Sequence, residues 1–214
     1  HAMMYCADDL PHPTKQREGF LKAGALRIAE LVKLSGGRAL ILFTAKNDMR
    51  EVHTVLRSMD LPYTILVANA GASQENVLEQ FRTEHTSVLL GVGAYWEGIN
   101  IVGDALTNVI IFKLPFPVPD PIIQDKCDRA DNPLLDVLVP EMIIKLKQGI
   151  GRLIRSETDR GIISIIDPRL SQKSNSPYRQ IVLDSLPIKN CTSDLDVLRA
   201  FYGKIAPWWY ENNR

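Results

Sequence analysis

Apolar residues in this chain follow two alternating patterns, short continuous runs and spacings of three or four residues. The short runs are typical of strands buried on both faces, and they lie at 39–43, 63–67, 87–90, 108–112 and 161–166. The helical spacing recurs at 21–34, 48–59, 74–82, 121–131, 139–154, 175–184 and 194–203. Because strands alternate with helices, the pattern predicts an α/β fold with a mainly parallel sheet covered by helices on both faces.

Local signals mark where several of these elements begin and end. Ser35-Gly36-Gly37 predicts the end of the first helix, and Asn47-Asp48 can cap the second. Four prolines between Lys113 and Pro121 exclude regular structure from that stretch.

The first twenty or so residues are polar and interrupted by prolines, as in Leu10-Pro11-His12-Pro13, and are interpreted as an entry segment. Residues 1–4 (His1-Ala2-Met3-Met4) resemble a cloning remnant, which indicates an excised fragment. No repeat or linker divides the rest, so residues 5–214 are predicted to form one domain.

Overall charge is balanced, with 25 basic and 25 acidic residues, so any nucleic-acid site must be local. One such patch is residues 145–160, with five basic residues and two acidic ones. Cys6, Cys127 and Cys191 lack metal-ligand or iron–sulfur spacing, which favours free thiols in a reducing compartment and a cytoplasmic location. No apolar run reaches membrane-spanning length, so no membrane partner is expected.

The stretch Gln148-Gly149-Ile150-Gly151-Arg152-Leu153-Ile154-Arg155 carries the most specific chemistry. If it is helical, Gln148, Arg152 and Arg155 share one face and offer guanidinium groups suited to phosphate. The opposite face can be buried through Met142, Leu146, Ile150 and Leu153. The alternative is a solvated basic helix face, but Gly149 and Gly151 weaken a purely structural helix and indicate close approach to the backbone.

Four distinctive segments follow predicted strands, at the edge of a parallel sheet where ligands bind. They are 43–46, 91–100, 113–117 and 167–169. The second contains Glu97, which could orient a water or an arginine, and Tyr95 and Trp96, which could stack on a base or pack in the core. Together with the arginine helix, these segments predict a phosphate-bearing ligand at one sheet edge.

The sequence lacks the phosphate-binding loop of a nucleotide hydrolase. A Walker A loop requires G-x-x-x-x-G-K-[ST], and the Gly203-Lys204 pair is followed by Ile205. No apolar strand ends in paired Asp-Glu. The chain therefore has residues that could sense a phosphate but cannot be expected to hydrolyse a nucleotide alone, which disfavours a self-contained kinase.

These segments resemble the second RecA-like domain of superfamily 2 helicases of the DinG/XPD type. Residues 148–155 are similar to helicase motif VI (Q-x-x-G-R-x-x-R), and 96–100 resemble motif V. Residues 42–45 are similar to motif IV, and 113–117 match the K-L-P-F segment of this branch. The resemblance implies a RecA-like three-layer α/β/α domain, a P-loop NTPase-like fold without the P-loop.

The resemblance also implies site residues and partners. Gln148, Arg152 and Arg155 would act on ATP, and the two arginines would be arginine fingers. The ATP and its Mg²⁺ would be held mainly by an N-terminal RecA-like domain of the same parent protein. Glu97, Gly98, Asn100 and Gly151 would lie at the nucleotide. Single-stranded DNA would contact Phe43, Thr44, Ala45 and Trp96. The parent would be an ATP-dependent DNA helicase, a monomer is expected, and no metal or iron–sulfur cluster is expected in this chain.

Asn100 departs from the family pattern, in which aspartate is usual, and this puts a cation-binding role for the residue in doubt. The alternative hypothesis is a non-catalytic nucleic-acid-binding or interaction module that retains the helicase fold. The intact glutamine and arginine pair favour the motor domain.

Overall fold

A seven-stranded sheet forms the centre of the domain in the computed structural model, which describes residues 1–68, 73–97, 101, 105–155 and 159–206. The strands are β1 (Ala2–Cys6), β2 (Ala39–Leu42), β3 (Ile65–Val67), β4 (Val88–Gly91), β5 (Asn108–Ile111), β6 (Gly161–Ile165) and β7 (Cys191–Thr192). Their order is β3-β4-β2-β5-β6-β1-β7, and every neighbouring pair is parallel. The predicted parallel sheet is confirmed.

Helices cover both faces of this sheet. They are α1 (Arg17–Ser35), α2 (Lys46–Arg57), α3 (Gln74–Thr83), α4 (Pro121–Asp128), α5 (Val139–Ile150), α6 (Arg179–Ser185) and α7 (Leu195–Ile205). Buried residues of α1, α2 and α7 form one apolar cluster, and those of α3, α5 and α6 form the other. In β2, Leu40 packs in the cluster of α3, α5 and α6, and the next residue, Ile41, packs in the cluster of α1, α2 and α7. The sheet therefore lies between two layers of helices, and the three-layer prediction is confirmed.

The end of α1 follows the predicted signal. Gly36 caps the helix in the left-handed conformation (φ 63°), and its N–H donates to the Lys33 carbonyl. The predicted cap of α2 is wrong, because Ala45 is the N-cap residue and no side chain caps it. Asp48 is buried in ion pairs instead.

The first residues of the chain form a strand of the sheet, which corrects their interpretation as a polar entry segment. Strand β1 pairs with β6 along its whole length and with β7 on its other side. Met4, Tyr5 and Cys6 are buried. The sequence concealed this strand because alanine and methionine favour helices, so only burial between two neighbours reveals it. Strand β7 was also missed, because two residues carry no periodicity.

Within the described part of the chain, no helix combines the length and apolar character that a membrane span requires.

Candidate functional site

The four predicted segments lie together at one edge of the sheet. Strands β4, β2, β5 and β6 are consecutive neighbours and run parallel. Residues 43–46, 92–97, 113–117 and 167–169 therefore leave the sheet side by side at its carboxyl edge. Gly98 and Asn100, assigned to the nucleotide from sequence, lie outside the described residues.

The loop after β2 presents backbone and small side chains. Thr44 is exposed and Ala45 is partly exposed, and α2 begins immediately afterwards at Lys46 without a side-chain cap. The first-turn amides and the helix dipole thus favour an anion at this point. Phe43 is fully buried, so its side chain cannot contact DNA, which corrects that part of the prediction.

Trp96 is a core residue, and its predicted stacking on a base is wrong. The side chain is fully buried, and its Nε1 donates a hydrogen bond to the carbonyl oxygen of Phe43 at 2.8 Å. A Cβ at Gly149 would lie 2.9 Å from the Trp96 ring and 3.1 Å from Leu42. Gly149 therefore allows the backbone of α5 to lie close to this indole ring, and not to a ligand.

An ion network fixes the start of α2 beside the next loop. Asp48 accepts hydrogen bonds from Arg17 Nη2 at 2.7 Å and from Lys113 Nζ at 2.9 Å. Burial alone would raise the pKa of Asp48, but the hydrogen bonds from Lys113 and Arg17 outweigh burial and hold this pKa below its ordinary value. No local pattern in the sequence predicts this network, since its three members are far apart along the chain.

The arginines lie beyond the helix that was expected to carry them. Helix α5 ends at Ile150, and Gly151 is its C-cap. Turn hydrogen bonds continue from Arg152 N–H to the Gly149 carbonyl at 3.1 Å and from Leu153 N–H to the Ile150 carbonyl at 3.1 Å. The predicted buried face holds for Met142, Leu146 and Ile150, but the two glycines end the helix before the arginines, because glycine is a poor helix former.

Both guanidinium groups are attached to the end of this helix. Arg152 Nε donates to the Gln148 carbonyl at 3.1 Å, and Arg155 Nε donates to the Gly151 carbonyl at 3.3 Å. The Arg155 N–H donates to Asp159 Oδ2 at 2.7 Å. Cations at a helix carboxyl end are stabilised by the dipole and by otherwise unpaired carbonyls. Asp159, which accepts this bond, was not identified from the sequence.

Electrostatics place Arg152 close to both Arg155 and Glu97. Burial lowers the pKa of Arg152, the charge of Arg155 lowers it further, and the Glu97 carboxylate opposes the shift. The pKa of Arg152 is lowered overall, so the attraction of the Glu97 carboxylate does not outweigh burial and the charge of Arg155. A second anion beside these two arginines would be favourable.

The arginine turn extends away from the loop edge, which corrects the prediction that all these features share one edge. A Cβ at Gly161, the first residue of β6, would lie 2.6 Å from Leu153 and 2.7 Å from the Thr107 carbonyl. Arg155 lines a cavity of roughly 520 Å³ together with Ala2 and Asn190, at the amino ends of β1 and β7. Arg152 thus lies between Glu97 on one side and the Arg155 cavity on the other.

Among the residues that the structure describes, no group of three or more His, Cys, Asp or Glu side chains could hold a metal ion. Gln148 is exposed at the last turn of α5, whereas the arginines predicted to share its helix face lie beyond the end of that helix.

Comparison with known families gives a match over most of the chain. The sequence model of a family described as "Helicase C-terminal domain" matches residues 28–188. The "ATP-dependent DNA helicase YoaA" of Haemophilus influenzae is 36% identical over 176 residues, which cover 80% of this chain and 27% of that protein. The "3'-5' exonuclease DinG" of Bacillus subtilis is 35% identical over 185 residues, covering 83% of this chain and 20% of that protein.

Solved structures share the fold. The structure titled "XPD_Helicase" superposes with a TM-score of 0.64 at 20% identity, over 89% of this chain and 35% of that one. Dbp5 of S. cerevisiae, bound to RNA and ADP BeF3, gives a TM-score of 0.62 at 18% identity, over 95% of this chain and 45% of that one. The chain spans about a quarter of the length of the two curated relatives it matches.

Proposed function

The chain belongs to the family of helicase C-terminal domains, and from this premise we propose that it is the second of two RecA-like motor domains in an ATP-dependent DNA helicase. In this role it closes over ATP held by an N-terminal RecA-like domain of the same parent protein. The relatives are several times longer than the matched segment, which is consistent with a partner domain in the rest of such a protein.

The observation that carries the proposal is the pair of arginines anchored together in the turn that follows α5. Arg152 and Arg155 have their guanidinium groups anchored through Nε to backbone carbonyls at the end of α5, which holds the two groups in a defined orientation. Burial and mutual repulsion disfavour the charged state of Arg152. A γ-phosphate placed beside the pair would relieve that repulsion, most strongly when charge develops in the transition state.

Neighbouring residues complete this half of the nucleotide site in the proposal. Gln148 contacts the phosphate or the attacking water, Glu97 orients Arg152, and Gly151 sets the turn from which both arginines project. Gly98 and Asn100 are proposed at the same nucleotide, on sequence grounds alone.

The phosphates and Mg²⁺ are held chiefly by the partner domain. The chain has no Walker A sequence, and the described residues offer no group of metal ligands. ATP bound there supplies the phosphoanhydride that is hydrolysed. This chain supplies positive charge and orientation at the terminal phosphate.

Single-stranded DNA is proposed to lie across the carboxyl edge of the sheet. The Thr44 hydroxyl and the first-turn amides of α2 face this edge and suit a phosphodiester. Phe43 and Trp96 act from within the core by fixing the loop. Domain closure on ATP would then move this loop relative to the partner domain and advance the strand.

The decisive experiment uses the parent protein that contains both motor domains. Arg155→Ala should abolish DNA-stimulated ATP hydrolysis and leave ATP binding intact, because the ligand is held on the other domain. Lys147→Ala is the matched control, since this basic residue is exposed on the last turn of α5 and has no proposed role.

Two outcomes would overturn the proposal. One is unchanged hydrolysis in Arg155→Ala, which would favour a non-catalytic binding module instead. The other is robust ATP turnover by the isolated chain, with or without single-stranded DNA, because the chain alone is expected to show none.

A further inference from the structure

Two cysteines that are distant in sequence are neighbours in the sheet. Strands β1 and β7 pair in parallel, with Met4 opposite Cys191 and Tyr5 opposite Thr192. Because side chains alternate along a strand, Cys6 projects from the same face as Met4 and therefore as Cys191. The register therefore makes the two thiols diagonal neighbours on one face of the sheet.

The two thiols have unequal environments. Cys6 is 3% exposed within an apolar cluster, whereas Cys191 is exposed on the edge strand. The hydrogen bond to Cys191 and burial raise the pKa of Cys6 well above its ordinary value. The hydrogen bond from Cys6, helped by the charge of Arg179, lowers the pKa of Cys191 despite partial burial. The accessible sulfur of Cys191 is thus deprotonated more easily than the buried sulfur of Cys6.

An accessible thiol of lowered pKa beside a second, buried thiol is the arrangement of a redox-sensitive cysteine with its resolving partner. We propose that Cys191 is an oxidation site for hydrogen peroxide and that Cys6 resolves the product into a Cys6–Cys191 disulfide. The oxidation chemistry of this pair does not depend on the proposed helicase role.

The chemistry uses one peroxide for each disulfide. The Cys191 thiolate attacks one peroxide oxygen, the O–O bond breaks, and the departing hydroxide takes a proton and leaves as water. Cys191 is thereby oxidised by two electrons to the sulfenic acid. The Cys6 sulfur then displaces the hydroxyl group, which leaves as a second water with the thiol proton, and the S–S bond forms.

The register predicts that this bridge displaces β7. Cys6 lies two residues beyond the partner of Cys191, which places the two Cα atoms about 8 Å apart for ordinary strand spacing and rise, against an upper range of about 6.8 Å for disulfides. Strand β7 can move because it has two residues and is the outermost strand, next to β1 alone.

Asn190 connects this strand to the arginine turn. It precedes Cys191, accepts a hydrogen bond from the Met4 N–H at 2.8 Å and lines the Arg155 cavity. Movement of β7 would therefore reach the arginine turn.

The test begins with the reduced chain, one equivalent of hydrogen peroxide, an alkylating quench and peptide mapping by mass spectrometry. The expected product is a peptide pair that joins residues 6 and 191, and Cys191 should lose its free thiol several-fold faster than Cys127. Cys127 is a matched internal control because it is partly exposed on α4, and Cys127→Ser should leave the cross-link unchanged.

Two variants separate the roles of the thiols. Cys6→Ser should stop at the Cys191 sulfenic acid, which dimedone traps, whereas Cys191→Ser should leave Cys6 reduced. Backbone hydrogen exchange at residues 190–192 should increase on oxidation of the unmodified chain.

The proposal is overturned if Cys191 reacts no faster than Cys127, or if no 6–191 cross-link forms in the unmodified chain. It is equally overturned if Cys6→Ser yields no trapped sulfenic acid while its thermal unfolding matches the unmodified chain. The first two results come from the unmodified protein, so they decide the matter even if a serine variant folds poorly.

Discussion

The indole N–H of Trp96 donates to the carbonyl oxygen of Phe43 at 2.8 Å, and this contact joins the loop after β4 to the loop after β2. Both side chains are fully buried. The bond therefore couples two segments that the proposed function assigns to different ligands, one facing the nucleotide through Glu97 and the other facing DNA through Thr44.

Trp96→Phe should destabilise the domain and weaken DNA binding. Loss of the indole N–H leaves the Phe43 carbonyl buried without its donor, which costs about 1–3 kcal/mol of unfolding free energy. Urea titration measures this loss, and fluorescence anisotropy measures binding to a single-stranded oligonucleotide. Thr44→Ala is the companion variant, since it should weaken binding with little change in stability. Unchanged stability in Trp96→Phe would contradict the role given to the hydrogen bond.

Gly149→Ala should also destabilise the domain, although alanine is the better helix former. Helix propensity favours the substitution by up to about 1 kcal/mol. The new Cβ would lie 2.9 Å from the Trp96 ring, and overpacking of this kind costs about 1–3 kcal/mol. Chemical denaturation should therefore show a net loss of stability. Ile144→Ala, at an exposed position of the same helix, is the control and should have a small effect.

Asp48 should make stability depend on acidity. Its pKa in the folded chain lies below the ordinary value, so its contribution is present above an unfolded pKa of about 3.9 and is lost as the pH falls through the folded pKa. Asp48→Asn should lower the midpoint of urea unfolding at pH 7. The midpoint of the Asp48→Asn variant should also fall less steeply than that of the unmodified chain as the pH is lowered from about 5.

The surroundings of Asp48 supply the control for this pH series. Arg17 bridges Asp48 and the exposed Glu51 at 2.7 Å each, so Glu51→Gln should reproduce little of the effect, because exposed ion pairs contribute weakly. An Asp48→Asn chain with the same acid profile as the unmodified one would contradict the assigned cause.

Sequence periodicity predicted strands β2 to β6 and the seven α-helices of the described residues, because burial on both sheet faces leaves continuous apolar runs such as Ala39–Leu42. It could not predict β1, whose residues favour helices, or β7, which is too short for a period. Those two strands owe their existence to neighbours that are distant in sequence.

Site prediction from sequence was least accurate where a side chain could serve either the core or a ligand. Trp96 and Phe43 are chemically suited to stacking, yet both are buried, and only tertiary packing distinguishes the two uses. The glycines that indicated ligand approach have local explanations, since Gly149 accommodates Trp96 and Gly151 caps α5. The roles of Gln148, Arg152 and Arg155 at a nucleotide stay predictions.

Inorganic pyrophosphate should stabilise the isolated chain through Arg152 and Arg155. A ligand that binds the folded state alone adds about 1.4 kcal/mol at ten times its dissociation constant, which a thermal melt detects as a rise in Tm. Arg152→Gln and Arg155→Gln should each reduce this rise, whereas Lys147→Gln should not. Glu97→Gln should enlarge it, because the carboxylate that partly offsets Arg152 is removed. An equal rise in a chain that lacks both arginines would show that pyrophosphate binds elsewhere.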